Sequence, residues 1–155
     1  MRRTAALVLL ALLLAATAEA RPSHFILRVH LEGKAEDGEV FSSQLRSPTT
    51  GKTVIIQKSP ALSERDVVAF APYRAPDGSY GALFELDDHG KLALDALSVE
   101  RRGTYLYVFV NGRPVIELLI DRRITDGKLY LASGLTEKDL ALMKKDWRKI
   151  GSRRK

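Results

Sequence analysis

The segment "YLYVFVNGRPVIELLI", Tyr105 to Ile120, decides the fold. Asn111 in it is the only asparagine of the chain, and Gly112 follows it. Asn-Gly is the preferred pair for a two-residue type I′ hairpin loop, because both of its positions need positive φ. The pattern therefore predicts two antiparallel strands, Tyr105 to Val110 and Pro114 to Ile120. Val110 pairs with Arg113 at the corner, and Phe109 lies opposite Pro114 in a non-hydrogen-bonded pair. There Pro114 loses only an outward-facing N–H. "VNGRP" is thus a turn rather than a binding loop. Alternation gives the hairpin two faces. Tyr105, Tyr107 and Phe109 share one side with Pro114, Ile116 and Leu118, and the aromatic area makes that side the expected core. Leu106, Val108 and Val110 share the other with Arg113, Val115 and Glu117. This second face is too apolar for water, so it needs a cover. The expected binding residues are Leu106, Val108 and Val115, flanked by Arg113 and Glu117 as an interface rim. The competing cover is residues 21 to 80, or the loop from Ala71 to Gly81.

Outward from the hairpin, the second half of the chain is plainly written. "YGALFEL" reads as a strand. Asp87 suits a helix N-cap and Asp88 its first turn. Leu92, Ala93, Ala96, Leu97 and Val99 form the apolar stripe of that helix, which Gly103 stops. Asp126-Gly127 turns into "KLYLAS". Thr136 caps a last helix with Asp139 three residues on, and Leu140, Met143 and Trp147 form its buried face. In the first half, Phe25, Leu27, Val29 and Leu31 alternate as one face of a strand, with His24, Arg28 and His30 opposite. "EVFSSQLRSPTTGKTVIIQK" reads as two strands around a loop at Ser47 to Lys52. Ser63-Glu64-Arg65-Asp66 has the form of a capping box and predicts a short helix through Val67, Val68 and Phe70, ended by Pro72. "APYRAPDGSYG" reads as loop.

The N-terminus has the order of a secretory signal peptide: Arg2-Arg3, an apolar run from Ala5 to Ala16, then Ala18-Glu19-Ala20 as a cleavage site before Arg21. The run is shorter than the roughly 20 residues that span a bilayer. Removal of residues 1–20 leaves about 135 residues, enough for one domain. The chain has no cysteine, so its stability must come from packing rather than disulfides. Together these features predict a periplasmic or secreted protein. Residues 138–155 hold eight basic and two acidic residues, whereas residues 21–137 hold 15 and 16. The excess positive charge thus belongs to the C-terminus, with 148–155 as a basic tail. A nucleic-acid partner is not expected outside the cytoplasm, and the charge suits a solvated tail or an anionic membrane surface.

Motifs for chemistry fail on their own terms. Gly51-Lys52-Thr53 lacks the glycine that a phosphate loop needs at position 46, where Arg46 stands. Gly78-Ser79-Tyr80-Gly81 lacks the glycine of a serine-hydrolase elbow at position 77, where Asp77 stands. His24 and His30 lie about 20 Å apart along one strand at ~3.3 Å per residue, too far to share a metal. Asp87-Asp88-His89 is a compact polar group that capping explains. Asp121-Arg122-Arg123 suits a solvated connection better than an anion site. No catalytic residue, metal or cofactor is assigned.

In their order, "FELDDHG", "GTYLYVFVNGRPV" and "ITDGKLYLASGLTEKDLALM" resemble the head subdomain of the first periplasmic domain of SecD, the protein-export membrane component. The resemblance covers residues 81 to 143, with Gly134-Leu135-Thr136 standing for the Gly-x-Thr before the last helix. That family usually has Asp-Gly where this chain has Asn111-Gly112, and residues 21 to 80 carry no match. The resemblance implies an α+β fold, a mostly antiparallel sheet packed against two to three helices. Residues 21–80 would join the same compact unit as a head-like region at 81–147. It also implies a non-enzymatic binding or accessory role, in contact with exported polypeptides or an envelope complex. SecD spans the membrane several times and couples export to the proton gradient. Beyond the signal segment this chain carries no spanning helix, so it cannot act as that motor alone. The other class left open by the residues is a hydrolase or other enzyme with a dispersed site.

Overall fold

The computed structural model describes residues 24–152; the expected signal segment and the last three residues of the expected tail lie outside them. The hairpin forms from β7 (Tyr105–Val110) and β8 (Arg113–Leu119). Asn111 has φ 49° and Gly112 φ 82°, as a type I′ loop requires. Val110 pairs with Arg113 and Phe109 with Pro114, as the sequence predicts. One step further the register shifts: Val108 pairs with Ile116, leaving Val115 as the extra residue of a β-bulge. The bulge moves Ile116 and Leu118 onto the face of Leu106, Val108 and Val110. That side, not the tyrosine side, is therefore the core. Leu106, Val108 and Val110 are at most 2% exposed and belong to the shared core cluster, while on the other side Tyr105 is 40% exposed and Tyr107, though buried, lies outside that cluster. The face assignment made from simple alternation is reversed, because two large apolar side chains change sides at one unmarked residue.

β1 (Leu27–Leu31) lies antiparallel to β7, with Leu27 opposite Val110 and Leu31 opposite Leu106. Its alternate residues are buried, as expected. β4 (Leu62–Ser63) closes the other edge of β1, giving a sheet of order β4-β1-β7-β8. A second sheet has the order β10-β5-β6-β9, formed by β5 (Val67–Arg74), β6 (Tyr80–Leu86), β9 (Lys128–Leu135) and β10 (Arg148–Lys149). The two sheets share one core. Phe25 and Phe84 lie 6.2 Å apart between them, and Trp147 meets both edge-on at 5.3 and 5.9 Å. Each large apolar side chain so buried contributes ~1.5–3 kcal/mol, which is how a chain without disulfides holds together.

Two longer helices complete the core. α2 (Asp88–Glu100) is capped by Asp87, whose carboxylate accepts the Gly90 N–H at 2.8 Å. α3 (Glu137–Asp146) opens on the Thr136–Asp139 capping box and buries Leu140 and Met143. A one-turn helix, α1 (Gly38–Phe41), leads into a small ribbon of β2 (Ser42–Arg46) and β3 (Thr53–Gln57). This ribbon joins the tyrosine side of the first sheet. His30 Nδ1 meets the Gln57 carbonyl at 2.8 Å, the Gly33 N–H donates to Ile55 at 2.9 Å, and Ser47 donates to Glu117. Apart from the β10–β5 pair every ladder is antiparallel, so the fold is α+β with three described helices and mostly antiparallel sheets. None of the described helices is long and apolar enough to cross a membrane.

Four expectations are corrected. The Ser63–Asp66 capping box forms, but it closes only a 3-10 turn (Glu64–Asp66), and the residues after it are strand β5. Pro72 does not stop that strand. Phe70 accepts the Ile150 N–H, so Pro72, two residues on, turns its missing donor toward the same side, past the end of β10. The expected loop shrinks to a turn between β5 and β6, since Tyr73 and Arg74 already pair with Gly81 and Tyr80. The α2 stripe is rotated: Leu94 is buried, but Leu92 and Val99 are 70% and 55% exposed. Gly90 sets this rotation, because a Cβ there would lie 2.8 Å from Asp66 Cβ. Lastly, Arg148 and Lys149 are not free tail but the edge strand β10, parallel to β5.

Candidate interaction surface

The residues expected to contact a partner take different places. Leu106 and Val108 lie in the core, and Val115 is half-buried against Gly134. Glu117 accepts a hydrogen bond from Ser47. Arg113 reaches away from the hairpin to the carboxylate of Asp139 and to the Gly134 carbonyl at 3.0 Å. Asp139 is 4% exposed. Its oxygens also accept the Asn111 amide at 2.7 Å and the Thr136 N–H and hydroxyl at 2.8 Å each. The Asn111 side chain meanwhile accepts the Ile26 N–H at 3.0 Å. The hairpin tip is thus a joint that locks the start of β1 and the N-terminus of α3 together. The sequence marked Thr136–Asp139 as a cap, but nothing in it linked that cap to Asn111 and Arg113.

A different surface is built where the two sheets end side by side. β8 and β9 are the last strands of their sheets. They touch where Val115 meets Gly134, and away from that contact they part. The cleft between them has a volume of about 600 Å³ and is lined by Leu83, Leu118, Leu119, Lys128 and Tyr130, together with the connection 120–126. Leu119 and Tyr130 are 51% and 55% exposed. The phase of β9 follows from its pairing with β6. The Leu86 N–H donates to the Gly127 carbonyl, and Leu129 and Leu131 stand opposite Phe84 and Ala82. Gly127, Leu129 and Leu131 therefore turn their backbone groups to β6, and Lys128 and Tyr130, with the Ala132 N–H, turn to the open edge, while the Ala132 carbonyl lies beside Gly81 where the register shifts. The Lys128 N–H is taken by Asp126 at 3.1 Å.

The outer face of the second sheet continues this cleft. Ala71, Leu83 and Tyr130 stand side by side across β5, β6 and β9, beside Tyr73 opposite Gly81. The Tyr73 and Tyr130 rings stack at 5.5 Å and 7°. Tyr73 covers Gly81, where a Cβ would collide at 2.2 Å, and its hydroxyl donates to the Leu131 carbonyl at 2.6 Å. Burial, with Tyr130 beside it, pushes the Tyr73 phenol well above its ordinary value. Tyr73 is thereby a fixed platform for the more exposed Tyr130. The connection at Asp121-Arg122-Arg123 is pinned rather than loose. Arg123 binds Asp95 through two bonds of 2.6 and 2.9 Å, and the Ile124 N–H donates to Ser98 at 2.9 Å.

Among the described residues, Asp66, Asp87 and His89 bring ligand atoms within 4.8 Å of one another. Each carboxylate already has a structural partner. Asp66 accepts the Ser63 N–H at 2.7 Å and His89 at 2.9 Å, and Asp87 caps α2. Burial opposes the Asp66 charge, but these hydrogen bonds outweigh it and hold the carboxyl below its ordinary value. His24 binds Asp146 at 3.0 Å and His30 binds Gln57, so the strand histidines do not converge.

No protein-family model matches the chain, and no curated protein matches its sequence. Solved structures do match. One, described as a membrane component SecDF that enhances protein export, has TM-score 0.55 and 14% identity, over 85% of this chain and 69% of that one. Another, SecDF in the super-membrane-facing form, has TM-score 0.54 and 14% identity, over 79% of this chain and 19% of that one. The fold is SecDF-like. The first match covers more of the chain than residues 81 to 155 could supply, so the likeness extends into the N-terminal half, where the sequence showed none.

Proposed function

We propose that this protein is an extracytoplasmic, non-enzymatic accessory of protein export that holds extended segments of exported polypeptide in the cleft between β8 and β9. The cleft carries the proposal. It joins an open strand edge, whose outward N–H and C=O groups suit any extended backbone, to an apolar wall of Leu119 and Tyr130. Main-chain pairing is indifferent to sequence, as a carrier of many different chains requires. The SecDF-like fold supports the same reading, because one of the matching structures is described as enhancing protein export. So does the signal-like N-terminus, which directs the chain outward. A dispersed enzyme site has less support: the shifted carboxylates Asp66, Asp77, Asp95 and Asp146 are held by partners that cap or pair with them.

The test is fluorescence anisotropy with a permanently unfolded polypeptide, its cysteines reduced and alkylated, against the same protein folded. The proposal expects binding of the unfolded form only, weakened about tenfold or more by Leu119→Ala with Tyr130→Ala, as truncation of aromatic hot spots does. Equal binding of the folded form, or affinity unchanged in the double variant, would remove the cleft from the account.

A further inference from the structure

We infer that the face formed by the end of α3, β10 and Arg74 docks on an anionic phospholipid surface. Residues 138–152 contain Lys138, Lys144, Lys145, Arg148 and Lys149 against Asp139 and Asp146. The fold separates these signs. Asp139 is sealed at the hairpin joint by Arg113, Asn111 and Thr136. Asp146 accepts the Phe25 N–H at 2.6 Å and His24 at 3.0 Å. Both carboxylates of the segment are therefore engaged by partners, and the exposed side of α3 and β10 carries Lys138, Lys144, Arg148 and Lys149, with Glu137 at the start of α3.

Three cations converge. Arg74, Lys144 and Lys149 line a shallow cavity of about 490 Å³ with Tyr80 and Glu137. All three are exposed, and none has an ion-pair partner among the described residues. Arg74 is held in place by the Tyr80 hydroxyl at 2.6 Å and lies 4.8 Å above its ring. Glu137, the carboxylate of this lining, accepts the Tyr80 hydroxyl at 3.2 Å. Arg148 nearby is only loosely paired, 3.8 Å from Glu85. Beside Arg148, Val68, Asp146 and Trp147 line a neighbouring hollow, with Trp147 packed inward against Phe25 and Phe84. The charge is complementary to phosphate headgroups, and it is spread over a helix end and a strand edge rather than gathered around one small anion. Each basic residue at such a surface raises partitioning roughly fivefold. This inference stands apart from the polypeptide cleft, which is built on β8 and β9.

The experiment is co-sedimentation of the full chain with vesicles of phosphatidylcholine alone and of phosphatidylcholine mixed with phosphatidylglycerol. The neutral vesicles measure any insertion of the apolar N-terminus, so the difference isolates the charge. The inference expects a preference for anionic vesicles, reduced about tenfold or more by Lys144→Glu with Lys149→Glu. Lys34→Glu with Lys52→Glu changes the net charge equally and should leave the preference within about twofold. Lys144→Gln with Lys149→Gln, expected to weaken binding by a smaller factor, guards against misfolding of the reversal. No preference for anionic vesicles would overturn the inference. So would an equal loss from both charge reversals, or abolition by millimolar inorganic phosphate at constant ionic strength, which would make the site a pocket for free anions.

Discussion

Asp139 is the residue on which three parts of the chain meet. A carboxylate at 4% exposure is costly unless its oxygens are filled, and Arg113, Asn111 and Thr136 fill them. Asp139→Asn keeps the shape and removes the charge. It should cost about 1–3 kcal/mol, read as a lower urea midpoint with an unchanged slope; a loss under ~0.5 kcal/mol, the range of ordinary surface changes, would show the joint to be passive. Tyr107 gives a second test at this scale. Burial, then Glu32 and Glu117, pushes its phenol up to about 12. A raised pKa means stability that is complete below the unfolded value of about 10 and is lost as pH rises through the folded one. Ultraviolet titration should therefore find a tyrosine besides Tyr73 ionising about two units late, with the melting temperature falling between pH 10 and 12; Tyr107→Phe should lessen that fall, and Tyr73 accounts for the remainder. Ionisation at pH 10 with no loss of stability would contradict the burial.

Among the elements, what could be read depended on whether one residue carried the signal. Asn111-Gly112 announced its own turn, and Asp87 and Thr136 announced their helices, because positive φ and capping are local chemistry. The bulge at Val115 has no such mark. It is settled by which apolar set the second sheet can bury, so a strict period of two placed Ile116 and Leu118 on the wrong side. The Ser63–Asp66 box was likewise real, but a cap does not fix the conformation of the residues after its first turn, and the ladder to β6 drew Val67 to Arg74 into a strand. In α2 the contact of Gly90 with Asp66 turned Leu94 inward and Leu92 outward. Leu94→Ala should accordingly cost about 2–5 kcal/mol, whereas Leu92→Ala should stay within about 0.5 kcal/mol. Thermal melts of the pair check this, and equal losses would restore the stripe read from the sequence.

At the scale of the whole molecule, the N-terminal strand and the C-terminal strand each complete a sheet, so the core cannot be cut at residue 80. β1 pairs with β7, and β10 with β5. The sequence resemblance stopped at residue 81 because turns and caps repeat across relatives while the packing of β1 and β5 leaves only an apolar pattern. The cleft between β8 and β9 was illegible for a related reason: it depends on two edges coming side by side, which no single stretch records. The arrangement leaves unpaired backbone on β9, and the account assigns that backbone to an exported chain. Amide-resolved hydrogen exchange, with and without an unfolded polypeptide, tests this most directly. The account predicts that the Tyr130 and Ala132 amides, which face the open edge, exchange fast alone and slow markedly on addition, while Leu129 and Leu131, already paired with β6, do not change. Unchanged exchange at Tyr130 and Ala132 with the polypeptide bound, or protection appearing instead along β2 or β4, would contradict it.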